Sequence, residues 1–175
     1  MLKFNRVLID KENRCEACSA ADFNNDGKLE IVCGEYMYSG ADFGASGDIK
    51  YGSRTKICEI KYDGGYVHDF SDYPLDVNGD GWLDIITGSW WSEGLFWREN
   101  PGGSGGHEWK THKIADTGNI ETIRYIDIDN CGTAEIFPNC PGEPQSFFKL
   151  IKDGCGKPAG GFKRYIIGAE TEKAG

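Results

Sequence analysis

The chain has 175 residues, of which 25 are Gly and 6 are Pro, and 28 acidic against 19 basic residues give it a formal net charge of −9. Its hydrophobic content of 39% is too high for a disordered acidic tail, and no apolar run approaches the ~20 residues of a membrane span. The excess of acidic residues argues against a general nucleic-acid binder, because attraction to phosphates needs an excess of Lys and Arg.

The N-terminal segment does not resemble a secretory leader. Only three consecutive apolar residues, Val7–Ile9, precede Asp10, whereas a secretory leader needs an apolar core of about 7–15 residues. The chain is therefore expected to be cytosolic, or its true N-terminus is missing. Seven cysteines cannot all pair within one chain, which fits a reducing compartment slightly better than a secreted one. Cys15 and Cys18 form a lone C-x-x-C, a pattern that favours buried thiols or a chance disulfide over a zinc site.

The chain contains an internal repeat. Three segments of eleven residues align without gaps, and their first residues, Asp22, Asp76 and Asp127, are 54 and 51 residues apart. A repeat period of this size predicts repeated supersecondary units. The aligned segments are residues 22–32, 76–86 and 127–137.

Each unit begins with a polar loop and continues into an apolar, β-rich run, at 31–38 in the first unit and 83–91 in the second. The second unit then has a tight turn, a second run at 95–98, a Gly-rich loop, and an alternating segment at 109–114 that predicts an edge strand. Val7–Ile9 stand at the matching place before the first loop, and residues 162–167 resemble the same kind of strand. No segment has the 3.6-residue periodicity of a helix. Four short strands in about 50 residues are typical of a propeller blade.

The sequence therefore predicts an all-β fold with about three blades of four antiparallel strands, forming one repeat domain over residues 1–175. Propellers close with typically four to eight blades, and the repeat period places a fourth loop at about residue 180, just beyond Gly175. We therefore expect an incomplete propeller in a chain truncated at its C-terminus. The alternatives are an open three-unit array and closure through an oligomer.

The repeated loops have the pattern Asp-x-Asn/Asp-x-Asp-Gly-x-x-Asp/Glu, which predicts a cation site. Ca²⁺ takes six to eight oxygen ligands from a tight loop, and positions 1, 3, 5 and 9 supply side chains here while position 7 supplies a carbonyl. Position 12 is never Glu, so none of the loops is an EF-hand. The predicted ligands are Asp22, Asn24, Asp26, Lys28 and Glu30 in the first loop, Asp76, Asn78, Asp80, Trp82 and Asp84 in the second, and Asp127, Asp129 and Glu135 in the third.

Two observations qualify the metal interpretation. Cys131 replaces the position-5 oxygen of the third loop, and a thiol is a poor ligand for Ca²⁺, so that site is weakened or lost. Asp, Asn and Gly also form Asx turns without any metal, although three copies in register favour metal binding. The loops hold nine carboxylates; without them the acidic residues would number 19, the same as Lys plus Arg.

These loops, followed by Glu-Ile-Val-Cys-Gly, Asp-Ile-Ile-Thr-Gly and Glu-Ile-Phe, resemble FG-GAP/VCBS-type repeats. Such repeats occur in integrin α-chain propellers and in many microbial propellers, including some polysaccharide lyases. The resemblance implies Ca²⁺ as the cofactor, a calcium loop between the first two strands of each blade, and ligands on the opposite face. It does not specify the activity, because one fold hosts many functions.

The family layout places several candidate ligand-binding residues on the face opposite the metal loops. Tyr36, Trp90, Trp91, Glu121 and Arg124 are the candidates for ligand binding, and His68 is the candidate catalytic base because histidine is the residue type suited to proton transfer near neutral pH. Aromatic rings beside carboxylates and Arg suit a sugar or uronate ligand. Further residues of that face are Arg14, Glu16, Tyr38, Asp69 and Glu93. As alternatives, Trp90, Trp91 and Trp97 fill the spaces between blades, His68 is a hydrogen-bonded loop residue, and Arg98 with Glu99 is a solvated pair.

Three functions follow as hypotheses. The first is a calcium-binding propeller scaffold for carbohydrate or protein recognition. The second is part of a lyase that cleaves uronate-containing polysaccharide by β-elimination. The third is an adhesion-type structural array. The expected partner is a polysaccharide or a protein, with no nucleic acid and no membrane span, and the family leans extracellular although no leader is present.

Overall fold

The structure is a computed structural model that describes residues 4, 6–40, 42–43, 49–91, 94–104 and 108–168. Within these residues it contains β-strands, one short 3-10 turn at Gly102–Ser104 and no α-helix. The first strands are β1 (Ser19–Ala21), β2 (Glu30–Cys33), β3 (Tyr36–Tyr38), β4 (Asp42–Phe43), β5 (Ile49–Lys50), β6 (Arg54–Lys56), β7 (Tyr62–Asp63) and β8 (Tyr66–Val67). They are followed by β9 (Tyr73–Leu75), β10 (Asp84–Gly88), β11 (Gly94–Glu99), β12 (Lys110–Asp116), β13 (Thr122–Ile126), β14 (Glu135–Asn139), β15 (Ser146–Lys152) and β16 (Pro158–Ile166).

Three four-stranded antiparallel sheets form the framework, and we call them blades 1, 2 and 3. Their strand orders are β1-β2-β3-β6, β9-β10-β11-β12 and β13-β14-β15-β16. Two small hairpins, β4-β5 and β7-β8, lie outside these sheets. The predicted all-β fold of four-stranded repeat units is confirmed, and three blades are fewer than the four to eight of a closed propeller. No helix in the described part of the chain has the length and apolar character to cross a bilayer.

The three repeated loops join the first two strands of each blade, as the family resemblance implied. We call residues 22–30, 76–84 and 127–135 loops 1, 2 and 3. They connect β1 to β2, β9 to β10 and β13 to β14. The final carboxylate of each loop (Glu30, Asp84 and Glu135) is the first residue of the second strand, so strand pairing fixes its position.

The blades pack face to face through two apolar clusters, and β10 contributes to both. Ile85 packs with Phe23 and Val32 of the blade 1 region, whereas Ile86 packs with Ile123 and Ile136 of blade 3. Successive side chains of a strand point to opposite faces, so one strand can serve two interfaces. Every residue of β10 is buried for this reason.

The structure differs from the predicted strands in two details. The apolar run at 31–38 is two strands, β2 and β3, separated by a turn at Gly34 and Glu35. Val7–Ile9 form no strand and are exposed, because the described residues bring no paired strand edge to them. The predicted edge strand at 109–114 is β12, which lies at the edge of blade 2, and the strand expected at 162–167 is part of β16.

Candidate metal loops and ligand cavity

The three loops have the same backbone conformation. Their fourth residues adopt left-handed φ angles of 57°, 75° and 56° (Asn25, Gly79 and Asn130), and their sixth residues adopt 84°, 90° and 83° (Gly27, Gly81 and Gly132). Asn and Gly are the residues that tolerate this region best. The shared residue types at positions 4 and 6 therefore explain why the chain turns in the same way three times.

The first carboxylate of each loop is held inside the turn. Its Oδ2 accepts a hydrogen bond from the backbone N–H of position 6, at 2.9 Å in loop 1, 3.0 Å in loop 2 and 2.8 Å in loop 3. A carboxylate oxygen has more than one lone pair, so these oxygens can still bind a cation. The three pairs are Gly27 to Asp22, Gly81 to Asp76 and Gly132 to Asp127.

The last carboxylate of each loop returns to the start of the same loop. It accepts the backbone N–H of position 2, at 2.9 Å, 2.8 Å and 2.9 Å in loops 1, 2 and 3. Position 9 thus closes each loop back onto its second residue. The pairs are Phe23 to Glu30, Val77 to Asp84 and Ile128 to Glu135.

Burial makes the final carboxylates of loops 1 and 2 costly to ionise. It raises the pKa of Asp84 to about 7, opposed by the N–H groups of Asn100 and Val77 and assisted by the charges of Asp80 and Asp76. Burial is also the main cause that raises the pKa of Glu30, to which Asp26 and Asp22 contribute. A cation among these oxygens would stabilise the ionised carboxylates. The hard oxygen donors of loops 1 and 2 therefore fit Ca²⁺.

Loop 3 differs from the other two. The ligand atoms of Asp127, Asp129, Cys131 and Glu135 lie within 4.8 Å of one another, the one such group of His, Cys, Asp and Glu in the described part of the chain. The ammonium of Lys149 hydrogen bonds to Asp129 Oδ2 and lies 3.4 Å from Glu135 Oε1. That hydrogen bond lowers the pKa of Asp129 and raises the pKa of Lys149. With a thiol at position 5 and a lysine among its carboxylates, loop 3 fits Ca²⁺ poorly.

Residues 76–137, from the start of loop 2 into β14, match the family model of the FG-GAP-like repeat. This part of the chain is therefore similar to an FG-GAP-like repeat. The matched range contains loop 2, strands β10 to β12 of blade 2, strand β13, loop 3 and the start of β14. Neither a curated protein nor a solved structure matches the chain.

Asn100 connects loop 1 to loop 2. It directly follows strand β11. Its side-chain amide donates to the carbonyl oxygens of Phe23, at 2.9 Å, and Leu83, at 3.0 Å. Its backbone N–H donates to Asp84 Oδ1 at 2.9 Å. Sequence reasoning did not single out Asn100, although its place after an aromatic strand and before Pro101-Gly102 marks a constrained turn. One buried amide therefore connects the two candidate calcium loops.

Arg98 is buried, so its prediction as part of a solvated pair was wrong. Its Nη1 lies 3.3 Å from Asp69 Oδ2 and 3.4 Å from Asp72 Oδ1. Asp69 Oδ1 accepts the Thr87 hydroxyl at 2.5 Å, and Asp72 Oδ2 accepts the N–H of Gly34 in blade 1 at 3.0 Å. The reason is pairing: a buried charge is tolerated when opposite charges and hydrogen bonds surround it. This cluster links blades 1 and 2.

A cavity of about 330 Å³ opens beside this ionic cluster. His68 and Trp91 line it together, and Arg98, Thr87 and Lys61 add polar groups. The ring of Trp91 stacks on that of His68 with centroids 5.2 Å apart. The Nε2 atom of His68 is buried and hydrogen bonds to no other described residue, so the hydrogen bond expected in the alternative interpretation is absent at this nitrogen. An aromatic surface with a few convergent polar groups is typical of a ligand cavity.

The other predicted ligand residues lie elsewhere. Trp90 is 37% exposed and borders a separate cavity with Asn119 and Glu143. Tyr36 packs under the guanidinium of Arg54, which lies 4.5 Å from the ring centroid. Glu121 and Arg124 are exposed, and neither lines the His68–Trp91 cavity as the described residues define it. The structure thus brings two of the six candidates together.

Three more residues of the predicted face have identifiable positions. Asp69 and Tyr38 are buried, and the Tyr38 hydroxyl donates to Asp10 Oδ2 at 2.9 Å. Glu16 lines a third cavity with Asp72 and Tyr125, and Glu93 lies outside the described residues. Trp97 alone of the tryptophans at 90, 91 and 97 lies in the apolar cluster between blades 2 and 3, which confirms the space-filling interpretation for that ring.

Cys15 of the C-x-x-C pairs with Cys33 and not with Cys18. The two thiols hydrogen bond to each other, and this contact lowers the pKa of Cys15 and raises that of Cys33. All seven cysteines are free, and Cys18 is exposed. The pair connects the N-terminal segment to β2.

Proposed function

We propose that this chain is a Ca²⁺-stabilised, propeller-type repeat scaffold that recognises carbohydrate. The observation that carries the proposal is the repeated geometry of loops 1 and 2. In both loops the carboxylates at positions 1 and 9 accept hydrogen bonds from backbone N–H groups of the same loop. Asp22, Asn24, Asp26 and Glu30, with the Lys28 carbonyl, would hold one Ca²⁺. Asp76, Asn78, Asp80 and Asp84, with the Trp82 carbonyl, would hold another. Bound Ca²⁺ supplies positive charge that offsets the repulsion among these carboxylates.

The first experiment measures thermal stability with and without calcium. A ligand that binds only the folded state adds about 2.7 kcal/mol at a free concentration of 100 Kd. For a chain of this size 1 kcal/mol corresponds to about 2–4 °C in Tm, so we expect EGTA to lower the Tm by at least about 5 °C and added CaCl₂ to restore it. A Tm indifferent to EGTA, with no Ca²⁺ bound in equilibrium dialysis, would contradict the proposal.

The cavity beside His68 and Trp91 supports carbohydrate as the ligand. Trp91 offers an aromatic surface on which the apolar face of a sugar can stack. Lys61, which also lines the cavity, would attract an acidic sugar. The test is a glycan array probed with the calcium-loaded chain, followed by titration of the best ligand. We expect Trp91→Ala to abolish binding and Trp90→Ala, in the separate cavity, to leave it unchanged. Binding to a protein partner without any glycan signal would favour protein recognition instead.

Lyase activity is the second candidate, and one observation favours it. The His68 side chain lines the cavity, and its Nε2 has no hydrogen-bond partner among the described residues. In β-elimination, such a nitrogen would take the proton from C5 of a uronate. The C5 electron pair would form the C4–C5 double bond, and the C4 oxygen would leave with its bond electrons. The absorbance of the unsaturated product reports this reaction. We expect the wild type to produce this absorbance with acidic polysaccharides, and His68→Gln not to produce it. If the wild type produced no such absorbance with any of a broad panel of polysaccharides, recognition would be the function.

A further inference from the structure

Lys149 reaches two carboxylates of loop 3, and the register of blade 3 puts it there. Ile136 of β14 pairs with Phe148 of β15, so the next residue of β15, Lys149, lies opposite Glu135. From there its ammonium hydrogen bonds to Asp129 Oδ2 and lies 3.4 Å from Glu135 Oε1. The Glu135 side chain is 1% exposed, and its Oε1 has no other hydrogen-bond partner among the described residues.

The same register position carries no cation in the other two blades. Ile85 pairs with Arg98 in blade 2 and Ile31 pairs with Tyr38 in blade 1. Continuing each ladder by one residue places Glu99 opposite Asp84 and Ser39 opposite Glu30. Glu99 turns to His112, 2.6 Å away. The lysine is therefore specific to loop 3.

The change at position 5 accompanies the lysine. Loops 1 and 2 have Asp26 and Asp80 there, whereas loop 3 has Cys131. Cys131 removes one hard oxygen ligand, and Lys149 adds a positive charge that is already attached to the chain. The ligand atoms of loop 3 lie within 4.8 Å of one another, and the ammonium of Lys149 contacts two carboxylates of this cluster.

We propose that Lys149 takes the place of the metal ion in loop 3, so that this loop folds without Ca²⁺ and the chain binds two calcium ions and not three. The inference rests on the proposed calcium binding at loops 1 and 2. In this proposal Ca²⁺ compensates the carboxylate charges of loops 1 and 2, and the ammonium of Lys149 compensates those of loop 3. Blade 3 keeps its loop closed when calcium is withdrawn, because the ammonium cannot dissociate from the protein.

The experiment counts Ca²⁺ ions per chain by equilibrium dialysis for the wild type, Lys149→Ser, Cys131→Asp and the double variant. Lys163→Ser, an exposed lysine of β16, is the matched control. We expect two ions for the wild type and the control, and three for Cys131→Asp/Lys149→Ser, which has a carboxylate at position 5, as loops 1 and 2 do, and no lysine beside the loop. In EGTA we expect Lys149→Ser to melt several degrees below the wild type and below Lys163→Ser.

The outcomes separate this inference from the proposed function. Three ions on the wild type would overturn the inference and leave calcium binding intact. Two ions on a folded double variant would also overturn it. No ion on the wild type would contradict the proposed function; the inference would then be judged by melting in EGTA, where equal Tm values for Lys149→Ser and Lys163→Ser would overturn it.

Discussion

The guanidinium of Arg98 lies 3.3 Å from the carboxylate of Asp69, and both side chains are almost inaccessible to solvent, at 6% and 0%. Asp72, on the same side of Arg98, is also buried. Burial and the nearby Asp69 charge raise the pKa of Asp72 well above its usual value. The guanidinium of Arg98 thus compensates two carboxyl groups, those of Asp69 and Asp72. Because its pKa is raised, Asp72 keeps its proton to a higher pH than an exposed aspartate does. This cluster anchors blade 2 to blade 1.

Replacing Arg98 by Met should destabilise the chain strongly, because two carboxyl groups would remain buried without their cation. Loss of one partner of a buried ion pair costs about 3–5 kcal/mol. Arg124→Met is the control, since Arg124 is exposed on β13, and a surface change of this kind stays within about 0.5 kcal/mol. Urea unfolding measures both variants, and equal midpoints would show that the buried cluster contributes little.

Neutralising one ligand in loop 2 separates metal binding from turn formation. Asp80 Oδ1 accepts the N–H of Trp82 at 2.9 Å, and the carbonyl of Asn can accept the same bond. We therefore expect Asp80→Asn to keep the turn, to fold in EGTA as well as the wild type, and to lose at least about tenfold in Ca²⁺ affinity, or about 1.4 kcal/mol. Calcium titration by calorimetry measures the affinity.

Asp153→Asn is the matched control for that experiment. Asp153 Oδ1 accepts the N–H groups of Cys155 and Lys157, at 2.8 Å and 2.9 Å. This is an Asx-type turn outside the repeated loops. Calcium affinity should not change in Asp153→Asn. If Asp80→Asn bound calcium like the wild type, Asp80 would not be a calcium ligand and the interpretation of loop 2 as a metal site would be contradicted.

Replacing Gly79, at position 4 of loop 2, should destabilise the fold. Loops 1 and 3 have Asn at this position. Gly79 has φ of 75°, and a Cβ there would lie 2.7 Å from the carbonyl oxygen of Pro158 in β16. Gly156, with φ of 82°, has open space around it, and Gly154 has neither constraint. We expect Gly154→Ala to be neutral or stabilising by up to about 1 kcal/mol. Gly156→Ala should cost about 1–2 kcal/mol for left-handed backbone.

Gly79→Ala should cost more than Gly156→Ala, because steric overlap adds to the same backbone cost. Chemical denaturation of the three variants at a single calcium concentration gives the comparison. Equal losses for Gly79→Ala and Gly156→Ala would mean that β16 moves away from loop 2 without cost.

Asp10 should contribute to stability in acid. The N–H of Glu12, the Tyr38 hydroxyl and Arg54 lower the pKa of Asp10 to about 2. A carboxyl group with a lowered pKa in the folded state stabilises the fold above its unfolded pKa, near 3.9, and loses that contribution as the pH falls through its folded pKa. The Tm difference between the wild type and Asp10→Asn, measured in EGTA, should therefore shrink between about pH 4 and pH 2. A difference that does not change with pH would rule out this role; Asp63→Asn, in the exposed β7-β8 hairpin, is the control.

The strands and loops were predictable because their determinants are local. Left-handed φ angles at positions 4 and 6 follow from Asn and Gly, and closure of each loop depends on residues seven apart. The ligand cavity was only partly predictable. His68 and Trp91 were named from the sequence, whereas Tyr36, Trp90, Glu121 and Arg124 lie outside that cavity as described, because blade packing and not sequence spacing decides which turns meet.

The amino-acid sequence by itself determined the repeat period, the all-β character and the three loops with their candidate ligands, since each depends on residues that are neighbours in the chain. Only the tertiary structure decided which charges are buried and which loop holds its own cation. Arg98 meets Asp69 across 29 residues and Lys149 meets Asp129 across 20. Strand register and the contact between blades decide which residues become such partners. Successive side chains of a strand point to opposite faces of the sheet, so the sequence alone does not say whether a charged side chain faces solvent or a buried carboxylate.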